Sequence, residues 1–392
     1  MLACPRLRGA TWRELPVPTA SNWNGALHVL LTCDAVGGVW TYALDLARGL
    51  TARGHRITLA VLGPDPDTAQ RDEAAAIPSL ALVAAGLSLD WIAESPAELA
   101  RSGQALAALA AGVGADVVHL NSPALAVEAS FPVPVLGTCH SCVKTWWTAV
   151  RGGALPADLA WRAELLGEGC GRVDALTAPT RAFALATAEA YGLERVPIVV
   201  PNGRAFPARQ VGPAPQHPFV FTAGRLWDEG KNLSLLDGAA GCLPVRVLAA
   251  GPTEGPNGAA IALRHARPLG RLSPDAVASH LAVRPVFVST ALYEPFGLAV
   301  LEAAGHGCPL VISDIPTFRE LWDGAAVFVD PRDGEALAAA LGGLLAVEGE
   351  RDRLGRLAAG RAASYGLDRM VDETVAAYER IQIGAVPRSL AS

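Results

Sequence analysis

An α/β protein made of two doubly wound parallel-sheet units facing a central cleft is the fold class this sequence predicts. Three observations carry the prediction. Short apolar, β-rich runs alternate with helix-type segments from end to end, the pattern of a parallel sheet covered on both faces. The alternation stops once, over residues 202–218, where NGRAFPARQVGPAPQHP is dense in Pro and Gly and has no periodicity, as a linker would. It then restarts, and 392 residues at 51% hydrophobic are enough for two domains, each with its own core.

In the first unit the strands are expected at 26–32, 56–62, 115–120, 133–139, 175–179 and 197–201. A helix is expected over 41–54, where apolar residues recur three and four apart and Gly54 ends the pattern. The stretch IPSLALVAAGLSLDWIA is the most apolar in the chain but carries Asp90 and two serines; it reads as a buried strand and its loop. In the second unit the strands fall at 218–224, 245–251, 285–290, 309–313 and 326–330. An amphipathic helix over 368–382 follows the last of them. The domains expected are a tail (1–24), an N-terminal Rossmann-like unit (25–205), a linker (206–217), a C-terminal Rossmann-like unit (218–367) and a final helix (368–392).

Charge and cysteines exclude several functions. The net charge is −6, and neither half is basic, which argues against a nucleic-acid partner or an anionic membrane surface. No apolar run of about eighteen residues, the length of a membrane span, appears. The early arginines are not followed by the apolar core of a signal peptide. Seven cysteines at 4, 33, 139, 142, 170, 242 and 308 read as free thiols in a reducing, cytoplasmic compartment. Cys139 and Cys142 spell CxxC, but with no second pair they are weak evidence for a metal or redox centre. The chain has only two lysines, Lys144 and Lys231, among its 32 basic residues. A lysine kept in that background points to a position that a planar guanidinium would not suit, unless chance left the two behind.

Ligands of open parallel sheets bind beyond the strands' carboxyl ends, so residues just after strands are the candidates. Gly37-Gly38 follows the first strand and could admit a ligand close to the backbone, or serve the turn alone. His140 follows the strand 133–139 and faces the cleft unless it is a structural histidine. Trp146 and Trp147 are closer to core residues than to a sugar-stacking platform. Arg225 and Lys231 flank the short loop after strand 218–224 and could serve a diphosphate. Gly251 begins a turn that could pass under a base or ribose. EPFGLAVLE (294–302) places Glu294 in a loop and Glu302 inside the next helix. The amides of Phe296, Gly297 and Leu298 open that helix and could hold a phosphate or a sugar hydroxyl. Either glutamate could also be simply solvated. Together these groups offer grips for both ends of a nucleotide-sugar, with cations between.

Four segments carry a family resemblance. EPFGLAVLEAAGHGCPLVISDIPTFREL resembles the Glu-x7-Glu signature of retaining glycosyltransferases of family 4, which have the GT-B fold. GRLWDEGKN resembles that family's Gly-Arg-Leu…Lys motif, VVPNGR its Pro-Asn-Gly, and GGVWTY its Gly-Gly turn. The resemblance spans roughly residues 26–385. It implies that Arg225 and Lys231 bind the diphosphate, Glu302 the ribose and Glu294 the donor sugar, with His140 near the reacting sugar. It implies transfer with retention, no metal and no cofactor beyond the nucleotide-sugar donor, and a last helix that crosses back to the N-terminal unit. The acceptor could be a glycan, a small molecule or a lipid-linked sugar. The sequence departs from the family in having Asp34 where some relatives carry a lysine before the Gly-Gly turn. Lys231 also follows Arg225 by six positions where many relatives have five. A sugar phosphorylase or nucleotide-sugar epimerase on the same fold, and a catalytically silent subunit, are the alternative readings.

Overall fold

The computed structural model describes residues 25–206, 218–256 and 258–385. The expected tail, Cys4, residues 207–217 of the expected linker and residues 386–392 of the expected final helix lie outside the described residues. The first sheet consists of β1 (His28–Asp34), β2 (Arg56–Leu62), β3 (Leu80–Ala84), β4 (Val117–Leu120), β5 (Val135–Thr138), β6 (Ala175–Ala178) and β7 (Ile198–Val199). The second consists of β8 (Val220–Ala223), β9 (Val247–Ala250), β10 (Arg267–Gly270), β11 (Val286–Ser289), β12 (Leu310–Ser313) and β13 (Val327–Val329). Their orders are β3-β2-β1-β4-β5-β6-β7 and β10-β9-β8-β11-β12-β13. Every pairing between these strands is parallel.

The unbroken apolar strands follow from burial on both faces. All of β1 is buried. Leu31 packs into one layer with Trp40 and Tyr378, and Leu30 into the opposite layer with Leu106 and Phe183. The second sheet is likewise packed on both sides, by Phe287, Trp322 and Leu301 on one face and by Val288, Leu236 and Leu341 on the other.

The last helix, Leu367–Ala385, is built into the core of the first unit through Met370, Val371, Val375 and Tyr378. Gly49 leaves the space that Val371 fills. The Tyr378 hydroxyl reaches His119 Nδ1 at 2.7 Å, His119 Nε2 reaches Thr138 Oγ1 at 2.7 Å, and Thr138 Oγ1 reaches Thr177 Oγ1 at 2.7 Å. This buried polar chain ties the end of the sequence to β4, β5 and β6. Where the chain leaves the first unit it meets its own return. Arg204 N–H donates to Tyr365 O at 3.1 Å, and Leu367 N–H donates to Arg204 O at 3.1 Å.

Three details differ from the sequence reading. The strand within IPSLALVAAGLSLDWIA is β3, at the sheet edge, and it is half-exposed rather than buried. β10 went unpredicted because RPLG has no apolar run, and its Pro268 suits only an edge strand. β1 runs two residues further than expected, so Cys33 and Asp34 belong to the strand rather than to the loop after it. No helix among the described residues is long and apolar enough to cross a membrane.

Candidate active site

The loops after β1, β5, β8, β9 and β11 line one cleft of about 1130 Å³ between the two units. His140, Arg225, Lys231, Gly251, Glu294 and Glu302 all line it. So do Gly38 and the helix start formed by Phe296, Gly297 and Leu298.

Lys231 and Glu294 meet because the loops after β8 and β11 are laced together. Thr290 Oγ1 donates to Lys231 O at 3.1 Å and to Asn232 O at 3.0 Å. Leu292 N–H donates to Gly230 O at 2.9 Å. Thr317 Oγ1 holds the carbonyl of Glu294 itself at 2.6 Å. Lys231 Nζ then donates to Glu294 Oε2 at 2.5 Å, with the side chains 22% and 17% exposed. The two residues assigned to diphosphate and sugar thus neutralise each other.

Gly297 is the N-cap of the helix Leu298–Gly305 and takes φ +91°. A Cβ there would stand 2.9 Å from Phe318 Cε1, so glycine is needed on both counts. The Phe296 side chain is core, packed edge-on to Tyr365; only its backbone can serve a ligand. The first N–H groups of that helix have no partner within it and open on the cleft.

Arg225 Nη2 donates to Asp228 Oδ2 at 2.7 Å, and Asp228 Oδ1 accepts from Gly230 N–H at 2.9 Å. The guanidinium thereby lies across the cleft against Gly37, whose added Cβ would stand 3.4 Å from Arg225 Nη1. Gly37, at φ +95°, is the residue of the pair that needs to be glycine. Gly251 has a structural reason of its own, since its backbone lies directly on the carbonyl of Gly224.

Glu302 is not free. Its Oε2 lies 3.3 Å from Arg204 Nη1, and Arg204 Nε lies 3.2 Å from Asp45 Oδ2. Burial pushes the Glu302 carboxyl up; Arg204 pulls it down and Asp45 pushes it up again.

His140 Nε2 lies 2.8 Å from Asn121 Oδ1, and its ring meets Tyr42 edge to face at 4.4 Å. Asn121 Nδ2 donates to Thr32 O at 2.6 Å. That bond orients the amide, so Oδ1 faces the histidine and Nε2 must carry the proton. Burial lowers the His140 pKa to about 3. The ring is therefore neutral at ordinary pH, with Nδ1 as a hydrogen-bond acceptor.

Asn121, Tyr42, Arg204 and Asp34 were missed from sequence. Asp34, at the end of β1, is buried and raised to about 6 by desolvation; the Val36 N–H and Arg225 oppose that rise, and Asp90 adds to it. From sequence it stood only as a departure from the family, where some relatives carry a lysine. Arg204 directly follows Pro-Asn-Gly, but nothing in the pattern says where its side chain goes.

Of the other residues singled out, Lys144 donates to Ala190 O at 3.2 Å and covers the Tyr191 ring. It is not among the residues lining the cleft. Trp146 lines the cleft with Nε1 against Gly230, while the Trp147 ring nitrogen is buried. Cys139 and Cys142 are buried free thiols, and Cys142 Sγ is paired with Thr145 Oγ1 at 2.8 Å. No group of three or more metal-ligating side chains occurs among the described residues.

Polar contacts also join the two units around the cleft. The Tyr293 hydroxyl accepts from Cys142 N–H at 3.0 Å. Glu320 caps the helix Arg181–Tyr191, accepting from Arg181 N–H at 2.8 Å and from Ala182 N–H at 2.7 Å. Arg151 pairs with Glu229 at 2.7 Å.

A doubly wound pair of domains facing such a cleft is the GT-B fold, and comparison places the chain among glycosyltransferases of that fold. The sequence model of Glycosyltransferase Family 4 matches residues 36–204, and that of Glycosyl transferases group 1 matches residues 217–346. The chain belongs to the family 4 glycosyltransferases. It is 27% identical over 433 aligned positions to D-inositol 3-phosphate glycosyltransferase of Geodermatophilus obscurus, covering 96% of this chain and 92% of that protein. It is 28% identical to phosphatidyl-myo-inositol mannosyltransferase of Mycobacterium leprae, covering 89% of this chain and 94% of that protein. A shorter match, 42% identical over 72 residues, takes in only 7% of probable sucrose-phosphate synthase 3 of Arabidopsis thaliana. Among solved structures, sucrose-phosphate synthase of Thermosynechococcus elongatus superposes with TM-score 0.74 at 16% identity, covering 92% of this chain and all of that one. Anabaena HepE in complex with UDP and glucose superposes with TM-score 0.67 at 17% identity, covering 90% of this chain and 100% of that one.

Proposed function

We propose that this glycosyltransferase moves a sugar from a nucleoside-diphosphate-sugar to an acceptor hydroxyl, with retained anomeric configuration and without a metal ion. The observation that carries the reading is the Lys231–Glu294 pair beside Arg225 and the open end of the helix Leu298–Gly305. A donor exchanges partners with that pair. Its diphosphate takes the ammonium of Lys231, and its sugar hydroxyls take the carboxylate of Glu294. Negative charge grows on the leaving diphosphate, where two cations and a helix N-terminus already point. Positive character grows at the sugar ring, next to Glu294. Neutral His140 offers Nδ1 to a sugar hydroxyl without adding charge near the ring. Glu302 accepts bonds from the ribose, and the loops of the first unit hold the acceptor.

Retention comes from the family resemblance, and the HepE complex with UDP supports a nucleotide donor. A cytoplasmic location agrees with six free thiols among the described residues. The test is a hydrolysis and thermal-shift screen against UDP-, GDP-, ADP- and TDP-sugars. A nucleotide that raises the melting temperature and a released sugar of the donor's configuration are expected. No stabilisation by any of the four series overturns the reading. A sugar phosphate or an epimerised donor as product turns it toward the same-fold alternatives.

A further inference from the structure

Arg204 stands where the two units join. Its backbone is clamped at the crossing of the outgoing and returning chain, between Tyr365 and Leu367. The neighbouring Gly203 has no room for a side chain, because its backbone lies on the carbonyl of Gly366. From that clamp one guanidinium bridges two carboxylates, Asp45 on the helix Gly38–Ala52 of the first unit and Glu302 on the helix Leu298–Gly305 of the second. Arg48 lies on the far side of Asp45 at 3.0 Å and continues to Glu73 at 2.7 Å.

We propose that Arg204 is a positioning residue for the donor: it holds Glu302 in place for the ribose and ties that hold to the seating of the two units through Asp45. The inference rests on the nucleotide-sugar reading of the cleft. An ionised carboxylate accepts hydroxyl bonds about twice as strongly as the protonated acid, which keeps only part of that acceptor capacity. Glu302 is half-buried and within the field of Asp45, and both effects favour its protonated form. Arg204 is the charged group that opposes them. The ion pair is made at Oε2, which leaves Oε1 for the ligand.

The pH dependence has a definite sign. Without Arg204 the Glu302 pKa rises, so the carboxylate is lost from the acid side first and regained as pH increases. Nucleotide affinity of Arg204→Gln should therefore be about tenfold weaker near neutral pH, the loss of roughly one charge-assisted contact. The gap to wild type should close as the pH is raised. Arg204→Lys keeps the charge and should recover most of the affinity with a flat profile. Adding Asp45→Asn to Arg204→Gln removes the opposing carboxylate and should move the midpoint of the gap to lower pH. In turnover the loss should fall on donor KM rather than on kcat.

The experiment is calorimetric titration of the full chain with UDP, GDP, ADP and TDP across about pH 5.5–8.5, with each variant's melting temperature as the check on folding. A wild type that binds one of the four, together with an Arg204→Gln whose deficit is the same at every pH and is not rescued by lysine, overturns the inference alone. So does an Arg204→Gln that binds as tightly as wild type. A wild type that binds none of them overturns the donor reading and this inference with it. If Arg204→Gln does not fold, Asp45→Asn decides: it removes a carboxylate that raises Glu302 and should extend binding to lower pH, and an unchanged profile counts against the inference.

Discussion

Breaking the Lys231–Glu294 pair in two ways separates a working site from an ordinary ion pair. The perturbations are Lys231→Met, Glu294→Gln and the two combined. The side chains are 22% and 17% exposed, so neither charge is fully screened. Two unit charges about 4 Å apart attract by ~4 kcal/mol at an effective dielectric of ~20. Desolvation offsets much of that, leaving a net contribution of about 1–2 kcal/mol. Lys231→Met leaves Glu294 half-buried without a partner and should cost about 1–3 kcal/mol of stability. The double variant removes both charges and should recover most of the loss. Activity should do the opposite. Lys231 and Glu294 act on different parts of the donor, so each single variant should lose about ten- to a hundredfold in kcat, one charge-assisted contact each. The double variant should be at least as slow as the worse single. Melting temperature and donor-hydrolysis kcat on the four proteins are the assay. If kcat returns as the melting temperature returns, the pair is structural and the catalytic assignment of both residues is wrong.

Other consequences are briefer. Lys231→Arg should lower kcat even though it keeps the charge, because a planar guanidinium cannot replace the ammonium at the same approach; wild-type turnover would show the scarcity of lysine to be coincidental. Turnover should survive EDTA, and loss restored by Mg²⁺ or Mn²⁺ would refute metal independence. Gly297→Ala forces a side chain to φ +91° against Phe318 and should cost about 1–3 kcal/mol while raising donor KM, read by calorimetry and steady-state kinetics. The His119 pKa is lowered to about 3 by burial, so the unfolded chain binds a proton there that the folded chain refuses. Its contribution is fully present above the unfolded value of about 6.5 and falls by roughly 1.4 kcal/mol per unit as pH drops from there toward the folded value. Urea melts of His119→Gln should show a shallower acid-side decline than wild type; parallel curves would contradict the assignment of a neutral, buried imidazole.

Much of the fold was legible because it is local. A run such as ALHVLLT must be a strand covered on both faces, and a Pro-Gly-rich break must separate one unit from the next. β10 was illegible because RPLG is held by its pairing with β9, not by apolar character. β3 was read as buried because composition does not tell an edge strand from a central one. The cleft residues were found for a topological reason: whatever follows a parallel strand emerges at the carboxyl edge of its sheet.

The partners of those residues were another matter. Sequence alone put Lys231, Glu294 and His140 in loops beyond strands and Glu302 in the second turn of the helix after one, which pointed to a common cleft. Only the tertiary structure decided that Lys231 would be neutralised by Glu294, 63 positions away. It likewise decided that Glu302 would be gripped by Arg204 and that Asn121 would set the tautomer of His140. It placed Tyr378, 259 positions from His119, at the other end of a buried hydrogen bond. Periodicity encodes which face of an element is buried. It does not encode which charged side chain from a distant crossing of the chain arrives to satisfy the groups on that face. Those pairings are settled by the cost of leaving a buried polar group alone, and that cost exists only once the chain has folded.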